Sequence, residues 1–330
     1  MTKPTTPPLS EFERIARFFA PLAGPGALDL TDDVALIDGP AGEQYVLTID
    51  TIIEGVDYFP DDPPFQVAQR LLRVNLSDLA AKGAAPFGYL LTTALPKTHG
   101  EAWLDAFSKG LATDQKKFGV VLLGGDSSGT PGPPTLSATL IGRIARDKAI
   151  LRSGAKDGDV VYVSGTLGDA ALGLAVRKGE LGAALSAEQR DYLVDRYRLP
   201  QPRIALGQKL VGIASAMIDV SDGFLADLGH LCAASKLGAT IPVNKLPLSP
   251  AARAAIASNP NFNSAVIAGG DDYELLFTAS PRRASDVGAA MRDAGVTVTA
   301  VGSVTRGEGA VMLGADGQPV TVEKAGYAHF

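Results

Sequence analysis

The sequence predicts a mixed α+β fold divided into two domains. At 330 residues the chain exceeds the size at which one hydrophobic core usually stops growing. Strand and helix patterns occur in both halves, and a turn-rich stretch at residues 154–158 separates them. We therefore expect one domain at residues 1–150 and a second at residues 151–330. Because strands and helices do not alternate strictly, the pattern leaves an α+β arrangement and a doubly wound sheet equally open.

Hydrophobic periodicity and turn residues place the individual elements along the chain. In the first half they predict a short amphipathic helix at 11–19, strands at 45–49, 88–95, 120–123 and 136–144, and helices at 65–81 and 101–118. In the second half they predict strands at 160–164, 216–218, 239–243, 273–278 and 296–302, with helices at 169–178, 187–198, 203–211, 224–235 and 282–294. The start of the chain, residues 1–9, is rich in Pro and Thr and is expected to be disordered.

Composition and charge argue against several classes of protein. With 46% hydrophobic and 20% charged residues, the chain has the profile of a soluble globular protein. A net charge of −6 argues against a nucleic-acid partner, which needs a concentrated basic surface. No apolar stretch is long enough to span a membrane, and the N-terminus lacks a signal-peptide pattern. Together with a single cysteine, Cys232, this predicts a cytoplasmic protein without a membrane partner.

Aspartates recur where predicted strands and loops end. Such positions are occupied by Asp33, Asp50, Asp126, Asp219 and Asp222. Strand ends are where small-molecule sites are built in mixed α/β folds. Mg²⁺ prefers hard oxygen ligands and is typically held by one or two carboxylates together with the phosphates of a substrate. Scattered aspartates therefore suit a site in which metal ions bridge the protein and a nucleotide.

Each aspartate alone also has an ordinary structural explanation. Asp is common in turns and at helix N-caps because its side chain accepts hydrogen bonds from nearby backbone N–H groups. Asp222, for example, is placed to cap the helix predicted at 224–235. Asn75 and Asp78 differ, because they lie three residues apart on one face of an otherwise apolar helix. Buried polar groups there need partners, and a metal site would supply them.

Signatures of other nucleotide enzymes and of hydrolases are absent from the sequence. It contains no Walker A segment and no protein-kinase catalytic loop. The histidines, His99, His230 and His329, are dispersed without metal-ligand spacing, so Ser-His-Asp chemistry has no support. The stretch Gly-Gly-Asp-Ser-Ser-Gly at 124–129 is small and flexible enough for its backbone to approach a phosphate. Arg152, near the expected domain boundary, is a candidate phosphate contact.

Several of these segments together resemble the thiamine-monophosphate kinase family, which is part of a superfamily of ATP-binding enzymes that includes aminoimidazole ribonucleotide synthetase. The resemblance runs over residues 11–330. It rests on Asp-Asp at 32–33, Thr-Ile-Asp-Thr at 48–51, Glu-Gly at 54–55, Asn-Leu-Ser-Asp-Leu-Ala-Ala-Lys-Gly-Ala at 75–84, Gly-Gly-Asp at 124–126, Arg-Ser-Gly-Ala at 152–155, Gly-Thr-Leu-Gly at 165–168, Ile-Asp-Val-Ser-Asp-Gly at 218–223 and Gly-Gly-Asp-Asp-Tyr-Glu-Leu at 269–275. Ordered matches of this kind are far more specific than any one of them.

The resemblance implies an enzyme that transfers the γ-phosphoryl group of ATP directly to the phosphate of thiamine monophosphate, with Mg²⁺, giving thiamine diphosphate. The implied magnesium ligands are Asp33, Thr48, Asp50, Asp78, Asp126, Asp219 and Asp222. The implied ATP contacts are Gly125, Asp126, Arg152 and Ser221, and the implied thiamine monophosphate contacts are Asp57, Asp271 and Tyr327. Catalysis would rest on Asp126, Asp50 and Asp219. An acceptor phosphate is already ionised near neutral pH, so such chemistry needs positioning and charge neutralisation more than a strong general base.

The resemblance also implies the aminoimidazole ribonucleotide synthetase-like architecture and a homodimer. The N-terminal halves, residues 1–150, would join in a shared β-barrel and hold ATP and metal near the interface, while residues 151–330 would form an α/β domain. Asp57 stands where many members of the family have His. An acidic side chain beside a substrate phosphate repels it unless metal or water intervenes.

Two other interpretations stay open from the sequence. A different ATP-using synthetase of the same superfamily would share most of the segments, although Glu-Gly at 54–55 and the segment at 269–275 favour the kinase. The second is a binding or structural protein whose aspartates cap helices or hold Ca²⁺. It has no EF-hand loop in its favour.

Overall fold

The structure is a computed structural model that describes residues 13, 15–24, 26–181, 184–320 and 326–327. Within this part of the chain the strands are β1 (Ala35–Asp38), β2 (Glu43–Ile53), β3 (Ala85–Leu95), β4 (Val121–Gly129), β5 (Thr135–Ala145), β6 (Val160–Ser164), β7 (Ala216–Asp219), β8 (Gly238–Pro242), β9 (Leu275–Ala279), β10 (Val298–Thr305) and β11 (Gly309–Leu313). The α-helices are α1 (Pro64–Ala81), α2 (Glu101–Phe118), α3 (Asp169–Arg177), α4 (Ala187–Arg198), α5 (Ile204–Lys209), α6 (Phe224–Ser235), α7 (Pro250–Ser258), α8 (Asn263–Ala268) and α9 (Ala284–Ala294).

The N-terminal domain is an open five-stranded sheet in the order β1-β2-β5-β3-β4. All neighbouring strands are antiparallel except β3 and β4, which are parallel. One face carries the core, in which Val46, Tyr89 and Leu140 pack with Leu71 of α1 and Phe107 of α2. Strand residues alternate between the two faces of a sheet, so the residues between these core positions point away from the helices.

The C-terminal domain is built on an open six-stranded sheet in the order β11-β8-β10-β6-β9-β7. Its faces are both covered. Val163 and Ile218 pack with Phe224 of α6 on one face, whereas Met217 and Phe277 belong to a core on the other face. Only β8 and β11 pair in parallel. Since antiparallel pairs dominate both sheets, the fold is a mixed, two-domain α+β arrangement and not a doubly wound parallel sheet.

Helix α1 connects the two domains because it is buried on nearly every side. It packs on β2 in one domain and on α5 and β7 in the other. A methyl group at Gly207 of α5 would lie 2.0 Å from the carbonyl oxygen of Ala80, so this close approach requires glycine. A fully buried ion pair adds to the packing, since Nε of Arg73 lies 2.6 Å from Oδ2 of Asp114 and Gln69 donates a hydrogen bond to the same carboxylate.

Most predicted elements are confirmed, with a few differences in extent. The helices at 101–118 and 187–198 have the predicted bounds, and the helix at 65–81 begins one residue earlier. The strand predicted at 120–123 instead runs on to Gly129, so the Gly-Gly-Asp-Ser-Ser-Gly stretch is a paired strand and not a flexible loop. Of the helix predicted at 11–19, residues Ile15–Phe19 form a short π-helix.

Other expectations about the chain have different outcomes. The disorder expected at residues 1–9 lies outside the described residues, and the domain limit at residue 150 stays a prediction. None of the helices in the described ranges combines the length and the apolar character that crossing a membrane would need.

We expect Asp114→Ala to lower the free energy of unfolding by about 3 to 5 kcal/mol, because it leaves the buried guanidinium of Arg73 without its counter-charge. Urea denaturation followed by circular dichroism measures the change. The matched control is Asp105→Ala, also on α2, where the carboxylate is 62% exposed and pairs with exposed Lys109. Equal destabilisation by the two variants would contradict a structural role for the buried pair.

Candidate active site

Carboxyl groups from both domains meet where β2, α1 and β7 come together. Carboxylate oxygens of Asp33, Asp78 and Asp219 lie within 4.8 Å of one another. Asp33 precedes β1, Asp78 lies on α1, and Asp219 is the last residue of β7. Asp50 of β2 lies close to this group, because the charges of Asp219 and Asp33 act on its carboxyl. We call these four residues, Asp33, Asp50, Asp78 and Asp219, the aspartate cluster.

Hydroxyl groups hold two members of the cluster in place. Thr48 donates a hydrogen bond of 2.5 Å to Oδ2 of Asp78, and Ser77 donates one of 2.5 Å to Oδ2 of Asp219. Thr48 and Asp50 are two apart on β2, so both side chains point to the α1 face of the sheet. Ser77 and Asp78 are neighbours on α1, so this helix contacts Asp219 in the C-terminal domain and Thr48 in the N-terminal domain.

Two cations, the fully buried Lys82 and the partly buried Arg152, lie beside Asp33 of the aspartate cluster. Nζ of Lys82 lies 2.8 Å from Oδ1 of Asp32 and 2.5 Å from Oδ2 of Asp33. Nε of Arg152 donates to Oδ1 of Asp33 at 2.9 Å. Burial alone would raise the pKa of Asp33, but Lys82 and Arg152 outweigh it and lower that pKa to about 2. Asp33 is therefore held ionised.

The other three carboxyl groups are poorly neutralised. Burial, followed by the charges of Asp219, Asp57 and Asp33, raises the pKa of Asp50 to about 7. Burial and the charge of Asp33 raise the pKa of Asp219 to about 7 as well. Burial and the neighbouring carboxylates hold the pKa of Asp78 well above its usual range. The cluster thus carries more acidic groups than its two cations can balance at neutral pH.

The chemistry of these donors fits Mg²⁺. All the convergent groups are hard oxygen ligands, which Mg²⁺ prefers, and a divalent cation would relieve the repulsion between them. Asn75 lies one turn before Asp78 on α1 and is fully buried. Its Nδ2 donates to the carbonyl oxygen of Leu71, while its Oδ1 has no partner within the described residues. A buried Oδ1 of Asn75 without a hydrogen-bond donor, one helical turn from Asp78, is consistent with a bound ligand at this site.

The loop after β7 is closed by Asp227 and not by Asp222. Oδ2 of Asp227 accepts hydrogen bonds from the backbone N–H groups of Ser221, Asp222 and Gly223, each at 3.1 Å. The N-cap of α6 is Gly223, and no side chain caps it. The capping role considered for Asp222 is therefore wrong. The charge of Asp222 is instead among those that raise the pKa of Asp50.

The three residues expected to face the acceptor substrate surround this loop and the end of β2. The backbone N–H of Tyr327 donates to the carbonyl oxygen of Asp222 at 2.8 Å, and the N–H of Asp271 donates to that of Ser221 at 2.8 Å. The carboxylate of Asp271 lies 2.9 Å from Nη2 of Arg70. Oδ2 of Asp57 accepts a 2.7 Å hydrogen bond from the backbone N–H of Ile53, so part of this carboxylate serves the turn after β2.

Gly125 and Asp126 lie away from the aspartate cluster of their own chain. The pairing places Asp50, Ala138, Leu91 and Gly125 in one row across four strands. With strands about 4.8 Å apart, Gly125 is roughly 14 Å from Asp50. Asp126 is the next residue, so its side chain points to the opposite face of the sheet from Asp50. Both residues are exposed on the edge strand β4.

Family models match both domains. Residues 31–144 match the model described as "AIR synthase related protein, N-terminal domain", and residues 156–314 match "AIR synthase related protein, C-terminal domain". The thiamine-monophosphate kinase of Caulobacter vibrioides is 40% identical over 99% of this chain and 92% of its own length. This chain belongs to the thiamine-monophosphate kinase family.

Solved structures of the family have the same fold. The thiamine-monophosphate kinase of Stenotrophomonas maltophilia K279a, at 37% identity, superimposes with a TM-score of 0.79 over 88% of this chain and 90% of that one. A structure described as "AaThiL complexed with AMPPCP and TMP", at 30% identity, gives a TM-score of 0.86 over 98% of this chain and 97% of that one. The likeness therefore extends over both domains.

Lys82 contacts the aspartate cluster, although the sequence alone indicated no role for it. It lies inside a matching segment, at 75–84, and is the C-cap residue of α1, four residues after Asp78. A lysine four residues after an aspartate, in an otherwise apolar stretch, was the feature of the sequence that could have indicated a buried charged partner. Its partners, Asp32, Asp33 and the carbonyl oxygen of Met217, come from distant parts of the chain. The hydroxyl of Ser77 was missed for the same reason.

We expect the metal-free protein to lose stability as the pH rises from 5 to 8. The carboxyl groups of Asp50 and Asp219 titrate near 3.8 when unfolded and near 7 in the fold, so the folded state binds more protons between these values. Their stabilising contribution is complete below the unfolded pKa and disappears as the pH passes 7. Thermal unfolding in EDTA measures this loss, and added Mg²⁺ should raise the melting temperature more at pH 8 than at pH 5.

The variant Asp50→Asn provides the control for this pH dependence. It keeps the shape of the side chain but removes its charge, so its unfolding temperature should fall less between pH 5 and pH 8 than that of the unmodified protein. Asp195→Asn, at an exposed position on α4, should retain the full dependence. Identical pH profiles for Asp50→Asn and the unmodified protein would contradict a raised pKa of Asp50 in the folded state.

Proposed function

We propose that this protein is an ATP-dependent thiamine-phosphate kinase that converts thiamine monophosphate to thiamine diphosphate. The observation that carries the proposal is the under-neutralised aspartate cluster, with Asp33, Asp50 and Asp78 from one domain and Asp219 from the other. Relatives bearing the name thiamine-monophosphate kinase match 97–99% of this chain at up to 40% identity. The name of one neighbour, with AMPPCP and TMP bound, supports the same pair of substrates.

Mg²⁺ is the proposed metal, with Asp33, Asp50, Asp78 and Asp219 as ligands and Thr48 and Asp222 at the edge of the site. When bound, it would supply positive charge to the phosphate oxygens, as phosphoryl transfer requires. The protein side chains would position the metal ligands. Thr48 and Ser77 orient the carboxylates, and Lys82 keeps Asp33 ionised and in place.

The two substrates would lie on either side of the aspartate cluster. Arg152 and the backbone of Ser221 support a position for ATP, because both adjoin the cluster on the C-terminal domain. Asp271 and Tyr327 support a position for thiamine monophosphate across the 221–222 loop. Asp57, in the turn after β2, would also contact thiamine monophosphate. Its bond to the N–H of Ile53 occupies one carboxylate oxygen in the turn, which lessens the conflict with an acceptor phosphate.

We further propose that the enzyme is a homodimer with a shared β-barrel. Strand β1 covers only residues 44–47 of β2, so the described part of the chain leaves residues 48–52 of β2 with an open edge beside Asp50. Strand β4 is also an edge, and Val121, Leu122 and Leu123 on it are each about half exposed. Open edges with apolar side chains favour strand pairing between chains. Such pairing would set Asp126 of a second copy beside Asp50.

The cytoplasm is the proposed location of the enzyme. The only cysteine in the sequence, Cys232, is a free and fully buried thiol, which suits a reducing compartment.

The first test is direct synthesis of thiamine diphosphate from ATP, Mg²⁺ and thiamine monophosphate, followed by chromatography. We expect Asp219→Asn to lower kcat at least about 100-fold, or ~2.7 kcal/mol, because it removes a charge that holds the metal. Its metal-free stability should not fall, since the change also removes a repelled carboxylate. Asp195→Asn, which alters an exposed carboxylate in the same domain, should keep full activity. Absence of product with the unmodified protein would rule out the proposed substrate.

A heterodimer experiment tests whether Asp126 serves the site of the other subunit. Subunits carrying Asp50→Asn and Asp126→Asn are co-expressed with different tags, and the mixed dimer is isolated. Each homodimer of one variant should be inactive, whereas the mixed dimer should recover about half of the normal activity, because one of its two sites is intact.

A mixed dimer of Asp50→Asn with Asp219→Asn is the matched control, since both residues lie in the aspartate cluster of one chain. Both of its sites carry a defect, so it should stay inactive. Failure of the first mixed dimer to recover activity would mean that Asp126 does not cross the interface.

A further inference from the structure

A second concavity lies in the C-terminal domain, apart from the aspartate cluster. It has a volume of about 600 Å³, within the range of small-molecule pockets. Its wall consists of the Gly165–Thr166 turn after β6, the segment 244–248, the segment 295–299 and the side chains of Arg203 and Arg253. None of the aspartates of the cluster lines it. It is therefore a separate space and not an extension of the proposed kinase site.

The charge of this concavity is opposite to that of the protein as a whole. Arg203, Lys245 and Arg253 line it, and none of the acidic residues that the structure describes does, although the chain has a net charge of −6. Lys245 and Arg253 make no ion pair with any residue that the structure describes. The two cations come from different elements, a 3₁₀ turn at Val243–Lys245 and helix α7. We call this space the basic cavity.

Arg203 ties the wall of the basic cavity to a buried network. Its Nε donates to Oε2 of Glu274 at 2.7 Å, and its Nη2 donates to Oε1. Glu274 is fully buried and also pairs with Arg196. A methyl group at Gly165 would lie 2.1 Å from Oε1 of Glu274, and Gly165 has a φ of 59°, so this wall requires glycine. The guanidinium is thus fixed by a carboxylate behind it, with Nη1 unused among the described residues.

Backbone donors add to the cationic lining. The N–H of Leu167 is used by the carbonyl oxygen of Pro247, and that of Gly165 by Thr297. The N–H of Thr166, between them, finds no acceptor in the described part of the chain. A free N–H beside guanidinium and ammonium groups is the donor set that binds phosphate oxygens in proteins.

We propose that the basic cavity binds a small anion of the phosphate class, such as a diphosphate group, at a site separate from the aspartate cluster. Lys245 and Arg253 supply the mobile charges, and Arg203 and the Thr166 N–H form the fixed back wall. The network behind the wall continues to the proposed acceptor side, because Glu274 is three residues from Asp271 and Arg196 also donates to the carbonyl oxygen of Asp272. An anion on Arg203 would therefore act on the segment that carries Asp271.

Inorganic pyrophosphate, titrated calorimetrically into the full chain in EDTA, tests this proposal. Without metal the aspartate cluster repels anions, so binding reports the basic cavity. The double variant Lys245→Ala/Arg253→Ala should bind at least about tenfold more weakly, and binding by the unmodified protein should weaken as salt rises. Lys178→Ala/Lys148→Ala removes two exposed positive charges outside the cavity and should bind as the unmodified protein does.

Two outcomes would overturn the proposal: no binding of pyrophosphate by the unmodified protein at millimolar concentration, or equal affinity for the unmodified protein and the Lys245→Ala/Arg253→Ala variant. Both altered residues are exposed, and equal melting temperatures confirm that the variant is folded. Because the assay contains neither Mg²⁺ nor thiamine monophosphate, its result does not depend on whether the protein is a kinase.

Discussion

Repulsion between carboxyl groups that are buried together is the constraint on which the arrangement of the two domains depends. Asp33 and Asp78 belong to the N-terminal domain and Asp219 to the C-terminal domain, yet their oxygens lie within 4.8 Å. Lys82 and Arg152 balance Asp33, but they leave the remaining charge uncompensated. The metal-free protein therefore holds its domains together against an electrostatic cost. A metal-bridged substrate would remove that cost, so substrate binding and domain packing should support each other.

Helix α1 and its C-cap residue, Lys82, contribute polar side chains to the aspartate cluster and contact both domains. Ser77 holds a carboxylate of the C-terminal domain, Asp78 lies in the aspartate cluster, and Lys82 pairs with Asp32 and Asp33. On the far side, Arg73 forms a buried ion pair with α2. A buried helix with so many charges is stable only when each has a partner. The same contacts that satisfy α1 fix the positions of the site residues, so stability and function share these side chains.

The extent to which the sequence predicted this structure differs between local and long-range features. Helices such as 101–118 and 187–198 were predictable from local signals. Apolar residues recur along 101–118 up to Gly119, and Ser186 and Gln189 form a capping box at the start of 187–198. The aspartates were predictable as a group, and Asp33, Asp50, Asp78 and Asp219 do converge. Their expected places at strand ends were only partly right, because Asp219 ends β7 whereas Asp50 lies inside β2. Strand β4 was underestimated, because glycine and serine have low strand propensity and only pairing with β3 keeps the segment extended.

Residues whose role depends on distant partners escaped prediction. Lys82 meets Asp32 and Asp33 across fifty positions of sequence, and nothing near it in the chain indicates that contact. Asp227 closes the 221–223 loop in place of Asp222, although both stand near the start of the same helix. The position of Asp126 shows that a single chain can be insufficient to judge a predicted role. Its own sheet carries it away from the cluster, so its proposed role can be judged only in a dimer.

If the aspartate cluster holds divalent metal between the protein and the phosphates of ATP, the metal should be visible there in a complex with nucleotide. Crystals grown with AMPPCP and Mn²⁺ in place of Mg²⁺ allow this measurement, because anomalous scattering locates Mn²⁺ independently of any assumption about the site. We expect anomalous peaks in contact with carboxylate oxygens of Asp33, Asp78 and Asp219 and with the phosphates. Nucleotide phosphates bound without metal, or metal bound elsewhere with the cluster empty, would contradict this expectation.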